Sequence, residues 1–162
     1  MLIRAFQVGD EPHLHQVFLS AIHGIANRDY TPEQLNAWAP EYVDPVLWAD
    51  RMRGIAPFVV EDDGKPIAYA DIQPSGYIDH FFVSARYARQ GVGSKLMRRL
   101  HDEAEAKGMR VLTANVSRTA QRFFKHWGFS IIEERQPVVR GVVIPNALMK
   151  KELQDLVRTT TK

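Results

Sequence analysis

The stretch 77–108 constrains this chain more than any other. Residues 77–83 read Tyr-Ile-Asp-His-Phe-Phe-Val, an aromatic and β-branched run suited to a strand. Val92, Leu96, Met97, Leu100 and Ala104 then recur at helical spacing, and Gly108 stands where a left-handed residue ends such a helix. The loop between strand and helix closes with Gly91-Val92-Gly93-Ser94. A further apolar run at 110–116 supplies the next strand. Strand, helix and strand in this order predict a parallel pair joined by a right-handed crossover.

The rest of the chain fits around that unit. Residues 1–7 read as a first strand. Gly9-Asp10 opens a helix, with Asp10 as N-cap and Pro12 early in it, and Leu14, Val17, Phe18, Ile22 and Ile25 form its apolar face. Thr31-Pro32-Glu33 starts a second helix that runs into Trp38-Ala39-Pro40, and a third is expected over 45–53 with its end at Gly54. Residues 57–61 and 66–73 read as two arms of a hairpin about Asp62-Asp63-Gly64. Pro74-Ser75-Gly76 then turns the chain into 77–83. Downstream, 119–127 reads as a short helix closed by Gly128, followed by strands at 129–133 and 138–149, with Pro145 at a bulge or edge. The expectation is a mixed α/β fold: a mostly antiparallel sheet, one parallel pair, and flanking helices. The tail 159–162 is expected to fray.

Composition narrows the functional classes. At 162 residues the chain is read as one domain, 1–162, large enough to bury a full core. With no cysteine, it has no disulfide, Cys-bound zinc or Cys nucleophile; that suits a reducing cytoplasm, and no metal is expected. A formal net charge of +2 is too small to point to nucleic acid. Apolar runs such as 55–60 fall far short of the ~18 residues a membrane span needs, and no secretory leader is legible before Arg4, Asp10 and Glu11.

The turn at Gly91 carries the chemistry. The first N–H groups of a helix lack internal partners and sit at the positive end of its dipole. Glycines let a ligand approach that backbone closely. From Ser84 to His101 no acid occurs, whereas Arg86, Arg89, Lys95, Arg98 and Arg99 do. The combination predicts a phosphate site. It is not a P-loop, because Ser94 precedes Lys95, nor a dinucleotide fingerprint, because Leu96 stands at the third glycine.

These residues resemble the GCN5-related N-acetyltransferase (GNAT) superfamily. Its Arg/Gln-x-x-Gly-x-Gly/Ala signature appears as Ala88-Arg89-Gln90-Gly91-Val92-Gly93, with Ala88 in place of Arg or Gln. Its Ala-x-x-x-Tyr-x-x-x-Gly-Phe signature appears as Ala120, Phe124, Gly128 and Phe129, with Phe124 in place of Tyr. Tyr30-Thr31-Pro32 and Trp38-Ala39 resemble a bacterial YafP-type branch. The resemblance implies an acetyl-CoA-dependent acyltransferase with a central sheet opened by one splayed parallel pair. Pantetheine would lie along Phe81, Phe82 and Val83, with the Phe81 N–H on the thioester oxygen. The pyrophosphate would sit on Ala88, Arg89, Gln90, Gly91, Val92, Gly93 and Ser94. Ser117 and Phe124 would flank the coenzyme, and Phe124 brings no proton for the departing thiolate.

For the base, Asp79 stands two residues before Phe81 and is expected on the same strand face, and His80 on the other. Tyr30 and Trp38 are candidates for the acceptor wall. The acceptor is read as the primary amine of a small molecule, with a peptide or protein amine left open, and the protein itself as a monomer or homodimer. The alternative is a non-catalytic acyl-CoA sensor, which the missing tyrosine would suit.

Overall fold

The computed structural model describes residues 1–154, so the expected fraying of 159–162 lies outside the described residues. The chain opens with β1 (Leu2–Ala5) and continues through α1 (Glu11–Gly24), α2 (Pro32–Trp38) and α3 (Pro45–Ile55). The hairpin β2 (Phe58–Asp62) and β3 (Lys65–Ala70) follows. Then come β4 (Tyr77–Ile78), β5 (Phe81–Val83), α4 (Val92–Ala106), β6 (Val111–Ser117) and α5 (Gln121–His126). The chain closes with β7 (Ser130–Arg135), the short hairpin β8 (Val138–Val139) and β9 (Val142–Val143), and β10 (Asn146–Glu152). This is the expected mixed α/β architecture.

Two four-stranded sheets form, in the orders β1-β2-β3-β5 and β4-β6-β10-β7. All pairings are antiparallel except β4 with β6, where Tyr77 faces Thr113 and Ile78 faces Ala114. The strand expected over 77–83 is therefore two strands in different sheets. The chain crosses between the sheets at Asp79-His80, and this crossing opens the parallel pair into a gap.

Alternation along β2 and β3 divides the core. Val60, Ala68 and Ala70 pack toward α4, whose Val92, Leu96, Met97, Leu100 and Ala104 are all buried. Val59 and Tyr69 face the other way, into a cluster with Leu14, Phe18, Ile22, Trp48 and Met52 from the N-terminal helices. Each fully buried Leu or Met contributes roughly 1.5–3 kcal/mol, so both faces of the first sheet are firmly clamped.

Several local expectations hold and several do not. Thr31 caps α2 through a capping box with Gln34, and Gly108 takes the left-handed position after α4 (φ 68°). Asp10 stands at the start of α1 but does not cap it. Its carboxylate accepts instead from both Arg4 Nη atoms at 2.9 Å and from the Gln7 N–H. Gly54 lies inside α3, and the helix ends one turn position later at Ala56, which is left-handed at φ 44°. The run 138–149 is a two-residue hairpin followed by β10, because Arg140 (φ 47°) and Gly141 (φ 78°) reverse the chain. Among the described residues, no helix is long and apolar enough to cross a membrane.

Candidate active site

A buried carboxylate makes the break between β4 and β5. Asp71 is fully buried, and its Oδ1 accepts from the Asp79 N–H at 3.0 Å and the His80 N–H at 2.6 Å. Its other oxygen accepts from Gln73 Nε2, and its own N–H donates to His80 O at 3.1 Å. Two donors that a continuous strand would give to a neighbour are thus satisfied by one side chain, and the chain is free to change sheets. Burial raises the Asp71 carboxyl above the usual aspartate range, while the N–H donors pull it back.

The register then fixes which way β5 presents its backbone. Ala68 faces Val83, Tyr69 faces Phe82 and Ala70 faces Phe81. The flanking bonds run from Asp71 N to His80 O and from Ser84 N to Ile67 O. Ladder bonds in an antiparallel pair fall on alternate residues, so His80, Phe82 and Ser84 bond toward β3. Phe81 and Val83 turn their N–H and C=O groups the other way, toward the unpaired edge of the sheet.

That edge leads into the start of α4. No side chain caps this helix, and the first backbone bond returns from Lys95 N–H to Gly91 O. The N–H groups of Val92, Gly93 and Ser94 are left for a ligand. Arg89 (φ 61°) and Gly91 (φ 81°) are both left-handed, which bends the loop into a concave row of amides. At Gly93 a Cβ would stand 3.3 Å from the Phe123 ring, so glycine keeps that aromatic close to the turn.

A cavity of about 460 Å³ covers this surface. Phe81, Phe82, Val83, Ala88 and Arg89 line it, as do Gly91, Val92, Gly93 and Ser94. Ser117 and Phe124 close its other side, with α1 contributing Ala21 and Ile22. Gln90 lies in the same turn but outside the lining, its amide donating to Arg86 O at 3.1 Å. Phe124 is buried and stacks edge-on against Phe81 and Phe129.

A second cavity of about 350 Å³ lies under the β8–β9 hairpin. Tyr30, Trp38, Asp79, His80, Phe82 and Ser117 all reach it, so the break brings Asp79 and His80 to one cavity rather than to opposite faces. Asp79 still shares a small cleft with Phe81, whereas Val83 lines the first cavity, which Asp79 does not reach. Trp38, Phe82 and Ser117 line both of these cavities. A cleft of about 60 Å³ bordered by Asp79, Phe81, Ser117 and Phe124 lies in the gap between the sheets.

The groups in the second cavity differ in electrostatic state. His80 is buried among Phe18, Tyr69 and Phe82, and its Nδ1 shares a 2.9 Å hydrogen bond with the Tyr69 hydroxyl. Burial, reinforced by the Arg51 charge, pushes His80 down to about 4 against a smaller opposing pull from Asp79. His80 is therefore neutral at pH 7. Asp79 keeps 28 % of its side chain exposed and meets Arg51 Nη2 at 3.4 Å. Tyr30 is buried; its hydroxyl donates to Pro145 O and accepts the Arg118 N–H at 2.9 Å, tying this side of the cavity to the approach to β10. Sequence reading missed Asp71, Tyr69, Arg51 and Arg140. A lone acid closing the run Ala68-Tyr69-Ala70 was the visible signal for Asp71. The others come together only through the fold.

The acetyltransferase (GNAT) domain family model matches residues 26–153, which include β5, the Gly91 turn and both cavity floors. The chain belongs to the GNAT acetyltransferase family. As a member it is an N-acetyltransferase. It is 30 % identical over 152 residues to YafP of Escherichia coli (strain K12), described as an uncharacterized N-acetyltransferase, covering 94 % of this chain and 96 % of that one. A GCN5-related N-acetyltransferase structure from Rhodopseudomonas palustris superposes with a TM-score of 0.89 at 27 % identity, covering 94 % of this chain and 95 % of that one. An acetyltransferase structure from Salmonella typhimurium, determined with acetyl-CoA, shares the fold at a TM-score of 0.68 and 19 % identity, covering 96 % and 95 %.

Proposed function

We propose that this GNAT member transfers the acetyl group of acetyl-CoA to the primary amine of a small molecule, with both substrates bound together. The observation that carries this reading is the outward edge of β5 meeting the uncapped start of α4 inside one cavity. An extended amide chain can add to that edge as an extra strand while a diphosphate rests on the amides of residues 92–94. The second cavity, a concave pocket of about 350 Å³ under the β8–β9 hairpin, suits a small acceptor better than a protein surface.

In the transfer, the amine nitrogen bonds to the acetyl carbon, the C–S bond breaks, the amine gives up one proton and the sulfur takes one. The Phe81 N–H faces the gap and stabilises the negative charge that gathers on the acetyl oxygen. Asp79 is the base for the amine proton, directly or through water, since it is the carboxylate lining the acceptor cavity. Neutral His80 accepts or orients an N–H rather than carrying a charge. Ser117, which lines both cavities, offers its hydroxyl to the departing sulfur in place of the proton that Phe124 lacks.

Free-thiol release from acetyl-CoA with a panel of small amines tests the reading. Asp79→Asn is expected to lower kcat at pH 7 by about 100-fold and to recover toward pH 9, where more amine is already neutral. Coenzyme binding with no transfer to any amine would turn the reading into that of a sensor.

A further inference from the structure

The acceptor cavity has a charge and shape of its own. Its walls are aromatic: Phe18, Trp38, Trp48, Tyr77 and Phe82. Arg51 from α3 and Arg140 from the β8–β9 turn also line it, and neither lines the coenzyme cavity. Arg51 makes one long contact, 3.4 Å to Asp79. Arg140 spends one N–H on Ala37 O at 2.8 Å, which anchors the hairpin on α2 and leaves four donors of a five-donor group for other partners. Arg135, from β7, donates to Asn115, itself a lining residue.

Against Arg51 and Arg140, the one lining acid is Asp79; Asp71 is tied to backbone N–H groups outside the lining, and Glu133 pairs with Arg135, neither of which lines the cavity. His80 adds no charge at neutral pH. The cavity is therefore net positive, which disfavours a purely cationic guest and favours one with an anion. Asn146 also lines this cavity. Asn146 Oδ1 is buried with no hydrogen-bond partner, and Asn146 faces Ser117 across the β10–β6 register. An acceptor atom in that state calls for an N–H. It lies beside the residue shared with the coenzyme cavity, where the reacting amine must arrive.

We propose, resting on the transferase reading above, that the acceptor is a compact aromatic amine bearing a carboxylate. Its ring lies between Trp38, Trp48 and Phe82, its anion is held by Arg51 and Arg140, and its amine points at Asn146 and Ser117. Asp79 remains the proton acceptor, which is why Arg51 holds it loosely rather than in a closed bidentate pair.

Matched acceptors test this: 4-aminophenylacetate against 4-aminophenylacetamide, and phenylalanine against phenylalaninamide, each with acetyl-CoA. The acid is expected to be favoured in kcat/KM by about tenfold or more, the effect of one charge-assisted hydrogen bond. Arg51→Gln and Arg140→Gln are each expected to collapse that ratio. A ratio near one in the unmodified protein, or one that both variants leave intact, overturns the proposal. A binding arm separates it from the transferase reading. Calorimetry on protein saturated with coenzyme A should show phenylacetate binding and phenylacetamide binding at least tenfold more weakly. Phenylacetate binding without turnover of any amine would sink the transferase reading, and this proposal's acceptor role with it, while leaving an aromatic-carboxylate binding site. Turnover of neutral amines with no phenylacetate binding would do the reverse.

Discussion

His80 shows how much one buried side chain can couple to pH. In the unfolded chain it titrates near 6.5, while in the fold burial holds it at about 4. Across that window the unfolded state takes up a proton that the folded state refuses. Stability is therefore lost as pH falls from about 6.5 and stops falling below about 4, a change of up to about 3 kcal/mol. Asp71 runs the opposite way, since burial favours its neutral form and acid protonates it. Comparing urea unfolding of the wild type and His80→Gln isolates the histidine. The wild type is expected to lose more stability than the variant between pH 7 and pH 4.5, and parallel losses would contradict the assignment. Asp79 stands a residue away yet keeps contact with solvent. Two adjacent positions thus divide into a neutral, buried hydrogen-bonding group and a charged, accessible one.

At the scale of elements, the decisive feature is the crossing from β4 to β5, and Asp71 makes it. Asp71→Ala would leave the Asp79 and His80 N–H groups buried without partners, a loss of about 2–4 kcal/mol. Urea melts would read that loss, and coenzyme affinity should fall with it, because the outward edge of β5 depends on the crossing. A stable variant with full affinity would contradict that role. This crossing was not legible in the sequence. Asp79 and His80 sit inside an extended, apolar run, and nothing local distinguishes a strand that stays in its sheet from one that leaves it. The turn at Gly91 was legible, because glycine pair, uninterrupted basic charge and helical period all lie within a few residues. The β8–β9 hairpin was hidden because its turn uses Arg140 and Gly141 instead of an Asn-Gly or Asp-Gly signal. Its consequence for function, an arginine over the acceptor cavity, was hidden with it. Arg51 was invisible for a plainer reason: it reaches Asp79 across 28 positions of sequence.

At the scale of the molecule, the proposed active site lies where the two halves of the core meet. The face of the first sheet toward α4 supplies Phe81 and Val83, and the face toward the N-terminal helices supplies Phe82. The cavity proposed for the coenzyme draws on α1, β5, the Gly91 turn, β6 and α5, so it exists only when both sheets and both cores are in place. The bare amides at the start of α4 are proposed to hold the coenzyme diphosphate and aim the thioester along β5. Isothermal titration of the protein with coenzyme A, beside a Gly93→Val variant that would push Phe123 into the turn, tests it most directly. One coenzyme bound per chain by the wild type, with binding weakened at least tenfold in the variant, is the expected result. No heat with the wild type, or equal affinity in both proteins, would contradict it.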